Sequence, residues 1–266
     1  LAEMALSAPQ ERRPLLLWVG LALLACLLCL HGILQRPALP GDPAVAATLD
    51  RILVWHGLVP RAATAILAGA ALALAGALLQ RVLRNPIADP STLGIASGAQ
   101  LALTVAAVAS PLLDSVPREV VALTGGVLAV ALVLGLAWRG GLAPVTVVLA
   151  GMTVALVAAA LSAALILSQG DYVLSLFIWG AGSLHQQGWD APAALAGRLA
   201  AGALAAALLL RPLTVLGLGD AQARSLGLAL HGTRFLVILV AVWLAASVTA
   251  LVGVIGFVGL AAPAFT

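Results

Sequence analysis

Seven stretches of this chain are apolar over roughly 20 residues or more, at 14–35, 60–83, 93–113, 117–138, 143–168, 191–212 and 233–252. At ~1.5 Å of rise per residue, each is long enough to cross the ~30 Å hydrocarbon core of a bilayer as a helix. Lipid offers backbone amides no partners, so a chain patterned this way must close its hydrogen bonds within helices. With 63% hydrophobic and 9% charged residues, no soluble core could hide the apolar surface. The predicted fold is an all-α polytopic transmembrane bundle, a single domain over 1–266 with about seven spans. An eighth apolar run has begun at Thr266, and the expectation is a chain that continues. Tyr172 to Leu184 is apolar but short, and reads as an interfacial or re-entrant helix. The first run is too long for a signal peptide and is expected to stay as a helix.

Arginine sets the predicted orientation, because the sequence contains no lysine. With the N-terminus in the cytoplasm, the inner segments hold Arg12, Arg13, Arg81, Arg84, Arg139, Arg211, Arg224 and Arg234 against Glu3, Glu11, Asp89 and Asp220. The outer segments hold Arg36, Arg51, Arg61, Arg118 and Arg198 against Asp42, Asp50, Asp114, Glu119, Asp171 and Asp190. Arg198 lies near the outer end of its run, where it can snorkel or pair with Asp190.

Several chemistries are excluded or poorly supported. Without lysine there is no Walker A phosphate loop and no Schiff base. No zinc-protease pattern or nucleophile elbow occurs, so an enzyme is not expected. No basic run interleaved with aromatics points to nucleic acid. Cys26 and Cys29, one helical turn apart in an apolar run, read as small packing residues rather than metal ligands. The acids all sit in loops or at helix ends, which disfavours an ion-coupled carrier with a midplane carboxylate. What remains is a conduit driven from elsewhere, with no cofactor of its own.

One polar island interrupts the apolar pattern. In Gly219-Asp220-Ala221-Gln222-Ala223-Arg224-Ser225-Leu226-Gly227, Asp220 can cap a short helix and Gly227 can end it in the left-handed conformation. Such a mini-helix in a membrane protein reads as a docking element. Small residues in the spans, among them Gly69, Gly76, Gly94, Gly98, Gly253, Gly256 and Gly259, are candidate close contacts between helices.

Four motifs carry a resemblance. Arg84-Asn85-Pro86-Ile87-Ala88-Asp89-Pro90, continuing through Gly94 to Gly98, resembles the inner-loop signature of bacterial ABC permeases that import iron-siderophore, haem and cobalamin. Trp179-Gly180-Ala181-Gly182-Ser183-Leu184, followed by Trp189, is similar to the outer segment of that family. The island resembles its coupling helix, and Gly253 to Leu260 followed by Pro263 resembles its Gly-rich segment. Ala99-Gln100-Leu101 and Ala223 to Leu230 are most like the N-terminal half of the two-half ferric-hydroxamate permeases.

The resemblance implies a type II ABC importer permease in the bacterial inner membrane. Its implied partners are a cytoplasmic ATPase dimer, a periplasmic siderophore-binding protein, a second permease half and membrane lipid. It implies that Asp220, Ala223, Arg224, Ser225, Leu226 and Gly227 meet the ATPase, with Ala223 and Leu226 filling its groove. Cobalamin-type members carry an Arg-x-Pro-Arg pattern at the outer start of the second span; here it reads Leu58-Val59-Pro60-Arg61, with only the second arginine kept, so Arg61, helped by Arg51 or Arg118, is expected to dock the binding protein. A haem or cobalamin permease of the same family is the alternative, and an ion-coupled carrier the second.

Overall fold

The structure is a computed structural model, described here over residues 43–108, 116–169, 182–184 and 188–264. The run at 14–35 and most of 172–184, Trp179 included, lie outside the described residues. In chain order the helices are α1 (Pro43–Leu53), α2 (Val59–Leu83), α3 (Ile95–Val108), α4 (Arg118–Trp138), α5 (Pro144–Gln169) and α6 (Asp190–Leu208). Then follow α7 (Leu210–Gly217), α8 (Asp220–Ser225), α9 (Leu230–Val252) and α10 (Val258–Ala264). Among the described residues, five helices are long and apolar enough to cross a membrane, and α3 is a shorter apolar helix.

Two expected boundaries are corrected. The span predicted to start at 60 belongs to one continuous helical rod over Val45–Leu83, because a π turn at Val54–Leu58 joins α1 to α2. That turn lets Pro60, which has no N–H, sit inside a helix instead of starting it. The span predicted for 191–212 ends at Leu208. Pro212 cannot donate to the Leu208 carbonyl four residues back, so the helix breaks at Leu209 and Pro212 falls in the first turn of α7.

Helices α2 and α9 form the centre. Both are apolar around their whole circumference, the pattern of a helix surrounded by others. α9 packs on α2, α3, α4 and α6, and α10 packs on α2. Two glycine contacts set the closest approaches. A Cβ on Gly76 would overlap the Gly259 carbonyl of α10, and one on Gly98 would lie 2.7 Å from the Gly125 carbonyl of α4. Gly69 and Gly256, also expected to be close contacts, face open space. Gly253 instead ends α9 at φ +84°.

Candidate functional site

The island folds as predicted into a short helix, α8, but not with the predicted cap. Gly219, at φ +116°, occupies the N-cap, and Asp220 is the first helical residue. Its carboxylate is drawn away by two arginines. Arg234 Nη2, near the start of α9, donates to both Asp220 oxygens at 2.9 Å. Arg84 Nη2, at the end of α2, lies 2.8 Å from Asp220 Oδ1. Arg84 also donates to the Leu216 carbonyl of α7 at 2.6 Å, and Arg234 Nη1 to the Gly141 carbonyl at 3.4 Å. One carboxylate therefore clasps the end of α2, the start of α9, α7 and the α4–α5 turn around the base of α8.

The energetics of the two arms differ. Arg234 is 5% exposed, and a charge so buried requires a partner. The Arg84–Asp220 arm is about a third exposed on each side, where water screens it. Burial pushes the Asp220 carboxyl up, but the hydrogen bond and charge of Arg234, then the charge and hydrogen bond of Arg84, outweigh it and leave it below its ordinary 3.8. Arg84 sits at φ 46°, ψ 40°, a left-handed position that glycine would fill with less strain. From that backbone position its side chain reaches both Asp220 and the Leu216 carbonyl.

The far end of α8 carries a Schellman closure. Gly227, at φ +80°, donates to the Arg224 carbonyl at 2.9 Å, and Leu228 donates to the Ala223 carbonyl at 2.9 Å. Ala223 is fully buried against its own chain, so it cannot fill a groove in a partner. That expectation is corrected. Leu226 is 64% exposed, and Arg224, Ser225 and Gly227 are exposed beside it. Ala221 and Gln222 are exposed as well, so every residue from Ala221 to Gly227 except Ala223 is presented outward, with Asp220 holding the helix to the bundle.

The inner-loop residues support this end. Arg84 leads into Asn85, whose Oδ1 accepts from Ile87 N–H at 3.0 Å in an Asx turn that leaves Pro86 exposed. Asp89 is buried and caps the 3₁₀ turn Pro90–Leu93, accepting from Ser91 N–H at 3.1 Å and from the Ser91 hydroxyl. Gly94 closes that turn at φ +74°, and Gly98 follows in α3. Asp89 Oδ1 also lies where a Cβ on Gly259 would come within 2.7 Å, so the turn is wedged against α10. Pro263, within α10, lines a cavity with Gln80, Arg81, Arg84 and Asn85.

The opposite end is aromatic. Pro60, with no N–H, leaves the His56 carbonyl without its i+4 donor, and the Val59 N–H bonds to Val54 O in the π turn, leaving the Trp55 carbonyl to another donor. Gly188 N–H donates to His56 O at 2.8 Å, and Trp189 Nε1 to Trp55 O at 3.1 Å, with the two indoles 5.6 Å apart. Ser183 N–H donates to Val252 O at 2.7 Å, and Gly182 leaves no room for a Cβ against Val254. The outer segment is thereby joined to the Gly-rich segment. Arg61 is half-buried with its Nε unpaired among the described residues, and Arg51 is exposed. Arg198 pairs with Glu119 at 3.8 Å rather than with Asp190.

The role of Arg234 was not read from the sequence. The signal was available: an arginine four residues inside an apolar helix needs a counter-charge, and Asp220 precedes it by 14 residues.

Residues 16–266 match the model of the FecCD transport family. The chain is 39% identical over 260 residues to the iron(3+)-hydroxamate import system permease protein FhuB of Salmonella typhimurium, covering 96% of this chain and 38% of that protein. FhuB of Escherichia coli K12 is 41% identical over 216 residues, 81% of this chain and 32% of that protein. The chain thus spans about a third of the length of these two relatives. The ferric enterobactin transport system permease protein FepG of E. coli K12 is 35% identical over 227 residues, 82% of this chain and 68% of that protein. A solved structure of a metal-chelate type ABC transporter in an inward-facing conformation superposes with a TM-score of 0.74 at 25% identity, covering 91% of this chain and 78% of that one.

Proposed function

The chain belongs to the FecCD transport family, and from that premise we propose that it is the membrane-spanning permease of an ATP-driven importer in the bacterial inner membrane. Its cargo is a ferric siderophore of the hydroxamate type, received from a periplasmic binding protein. Identity to two hydroxamate permeases over most of this chain favours that cargo. In this reading the clasp end faces the cytoplasm and the N-terminus lies on that side. The iron arrives chelated, so it is substrate and needs no ligand from the protein.

The observation that carries the reading is the clasp beneath α8. A helix of six residues has little rigidity of its own. Asp220 fixes it to the two central helices through Arg84 and Arg234. A push on Leu226 and Arg224 by a cytoplasmic ATPase dimer then moves α2 and α9 together, as a rigid-body rock of this half against a second permease half. At the opposite end Arg61, assisted by Arg51, meets acidic groups of the binding protein, and such an exposed pair orients docking more than it holds it.

Uptake of radiolabelled ferric hydroxamate by proteoliposomes of the full-length transporter tests the reading. It predicts ATP-dependent, binding-protein-dependent uptake that excess ferric hydroxamate suppresses and cobalamin or haem does not. Uptake that persists without ATP would contradict it.

A further inference from the structure

A groove of about 690 Å³ runs between α4, α6 and α9, with almost wholly apolar walls. Its α4 side extends from Val127 to Trp138, about 16 Å at ~1.5 Å per residue. That is half of the ~30 Å hydrocarbon thickness. Its α6 side is Ala201, Gly202 and Ala205, in the last turns of that helix, and its α9 side starts at Phe235. The groove therefore occupies only the half of the bilayer on the clasp side. That length suits one acyl chain of the adjacent leaflet.

The mouth of the groove has a matching chemistry. Trp138 stands edge-on to His231, with ring centroids 4.4 Å apart, and to Phe235 at 5.9 Å. Such aromatics favour the headgroup boundary. His231 Nε2 is buried with no hydrogen-bond partner among the described residues. Arg139 follows Trp138 directly, and Arg211 follows α6; both are exposed and neither meets an acid among the described residues. The described acids at this end are already engaged, Asp220 by the clasp and Asp89 by its own turn. The mouth is cationic above an apolar slot, the complement of an anionic phospholipid.

We propose that the α4–α6–α9 groove is a binding site for one anionic phospholipid, its acyl chain along Gly135, Ala201 and Ala205 and its phosphate at Arg139 and the Trp138–His231 edge. The site is separate from the clasp and independent of what the transporter carries.

The test uses the full-length transporter purified in its complex, with dioleoyl phosphatidylglycerol and dioleoyl phosphatidylcholine as probes and native mass spectrometry of retained lipid as readout. Wild type should retain one phosphatidylglycerol per groove, about fivefold in preference to phosphatidylcholine, the contribution of one guanidinium near the surface. Arg139→Gln should abolish the preference and keep binding of either lipid. Gly135→Leu, whose side chain enters open space and so leaves the fold intact, should release both lipids. Equal retention of the two lipids by wild type would overturn the proposal, as would unchanged retention by Gly135→Leu. A disulfide between Gly135→Cys and Cys26 or Cys29 would mean that residues 14–35 cover the groove, and would overturn it as well.

Discussion

Arg234 Nη2 stands 2.9 Å from each carboxylate oxygen of Asp220, 14 residues away, and by this contact the start of α9 holds the first residue of α8. Arg84 reaches the same carboxylate from the end of α2. A six-residue helix is thus tied to the two most enclosed helices of the bundle.

The two arms should differ in strength. Asp220→Asn leaves Arg234 buried without a counter-charge, and removing one partner of a buried pair typically costs ~3–5 kcal/mol. Solvent at Asp220, which is a third exposed, should hold the loss to about 2–3 kcal/mol. Arg84→Gln, on the screened arm, should cost ~0–1 kcal/mol. Denaturation of the two variants in micelles checks the order, and a larger loss for Arg84→Gln would reverse the assignment.

Acid should weaken the clasp only below the physiological range. The folded Asp220 carboxyl lies below its ordinary 3.8, so its stabilisation is complete above that value. It is lost as pH falls from 3.8 through the lower, folded value. Between pH 5 and 8, on the order of the usual working range, the difference in stability between wild type and Asp220→Asn should be flat. A midpoint near neutrality in that difference would show that the pair is not what holds α8.

Ala223 of α8 and Leu226, the residue that caps its C-terminus, should fail in different ways. Ala223→Leu crowds the protein's own interior and should destabilise the isolated permease by ~1–3 kcal/mol. Leu226→Asp should leave the permease as stable as wild type and weaken its capture of the ATPase subunit. Pull-down of the ATPase together with thermal stability distinguishes them, and normal ATPase capture by Leu226→Asp would remove Leu226 from the docking surface.

Glycines that looked alike in the sequence should also separate. Gly76→Ala drives a Cβ into the backbone of α10 and should destabilise strongly. Gly69→Ala enters open space and should be neutral or stabilising, by up to ~1 kcal/mol of helix propensity. Thermal unfolding of the two variants side by side is the check.

At the aromatic end, Arg61→Glu should reduce uptake more than Arg61→Ala, since reversal adds repulsion where truncation only removes attraction. Equal losses would argue for a packing role.

Five of the predicted spans are legible from length and apolarity among the described residues, whereas the one predicted over 93–113 shows there only the shorter helix α3. The ends were less so: Leu209 broke α6 through Pro212, and the π turn at Val54–Leu58 extended α2 backwards past Pro60. The mini-helix is legible from Gly227 and from the polar island itself, but its cap is Gly219 rather than Asp220, and six residues are too short a stretch to reveal that Ala223 is the buried one. Pairing was the least legible property. Eight arginines were assigned to one side of the chain, and the choice of Arg84 and Arg234 for Asp220 depends on which helix ends meet in space. Likewise Arg198 reaches Glu119 at the head of α4, whereas Asp190 lies about two turns away along its own helix.

The most direct test of the clasp as a coupling element is the ratio of ferric hydroxamate transported to ATP hydrolysed, measured in the same proteoliposomes for wild type and Arg84→Gln. Loosening the screened arm should leave the ATPase bound and hydrolysing while transport per ATP falls several-fold. An unchanged ratio, with the ion pair demonstrably broken, would contradict the account.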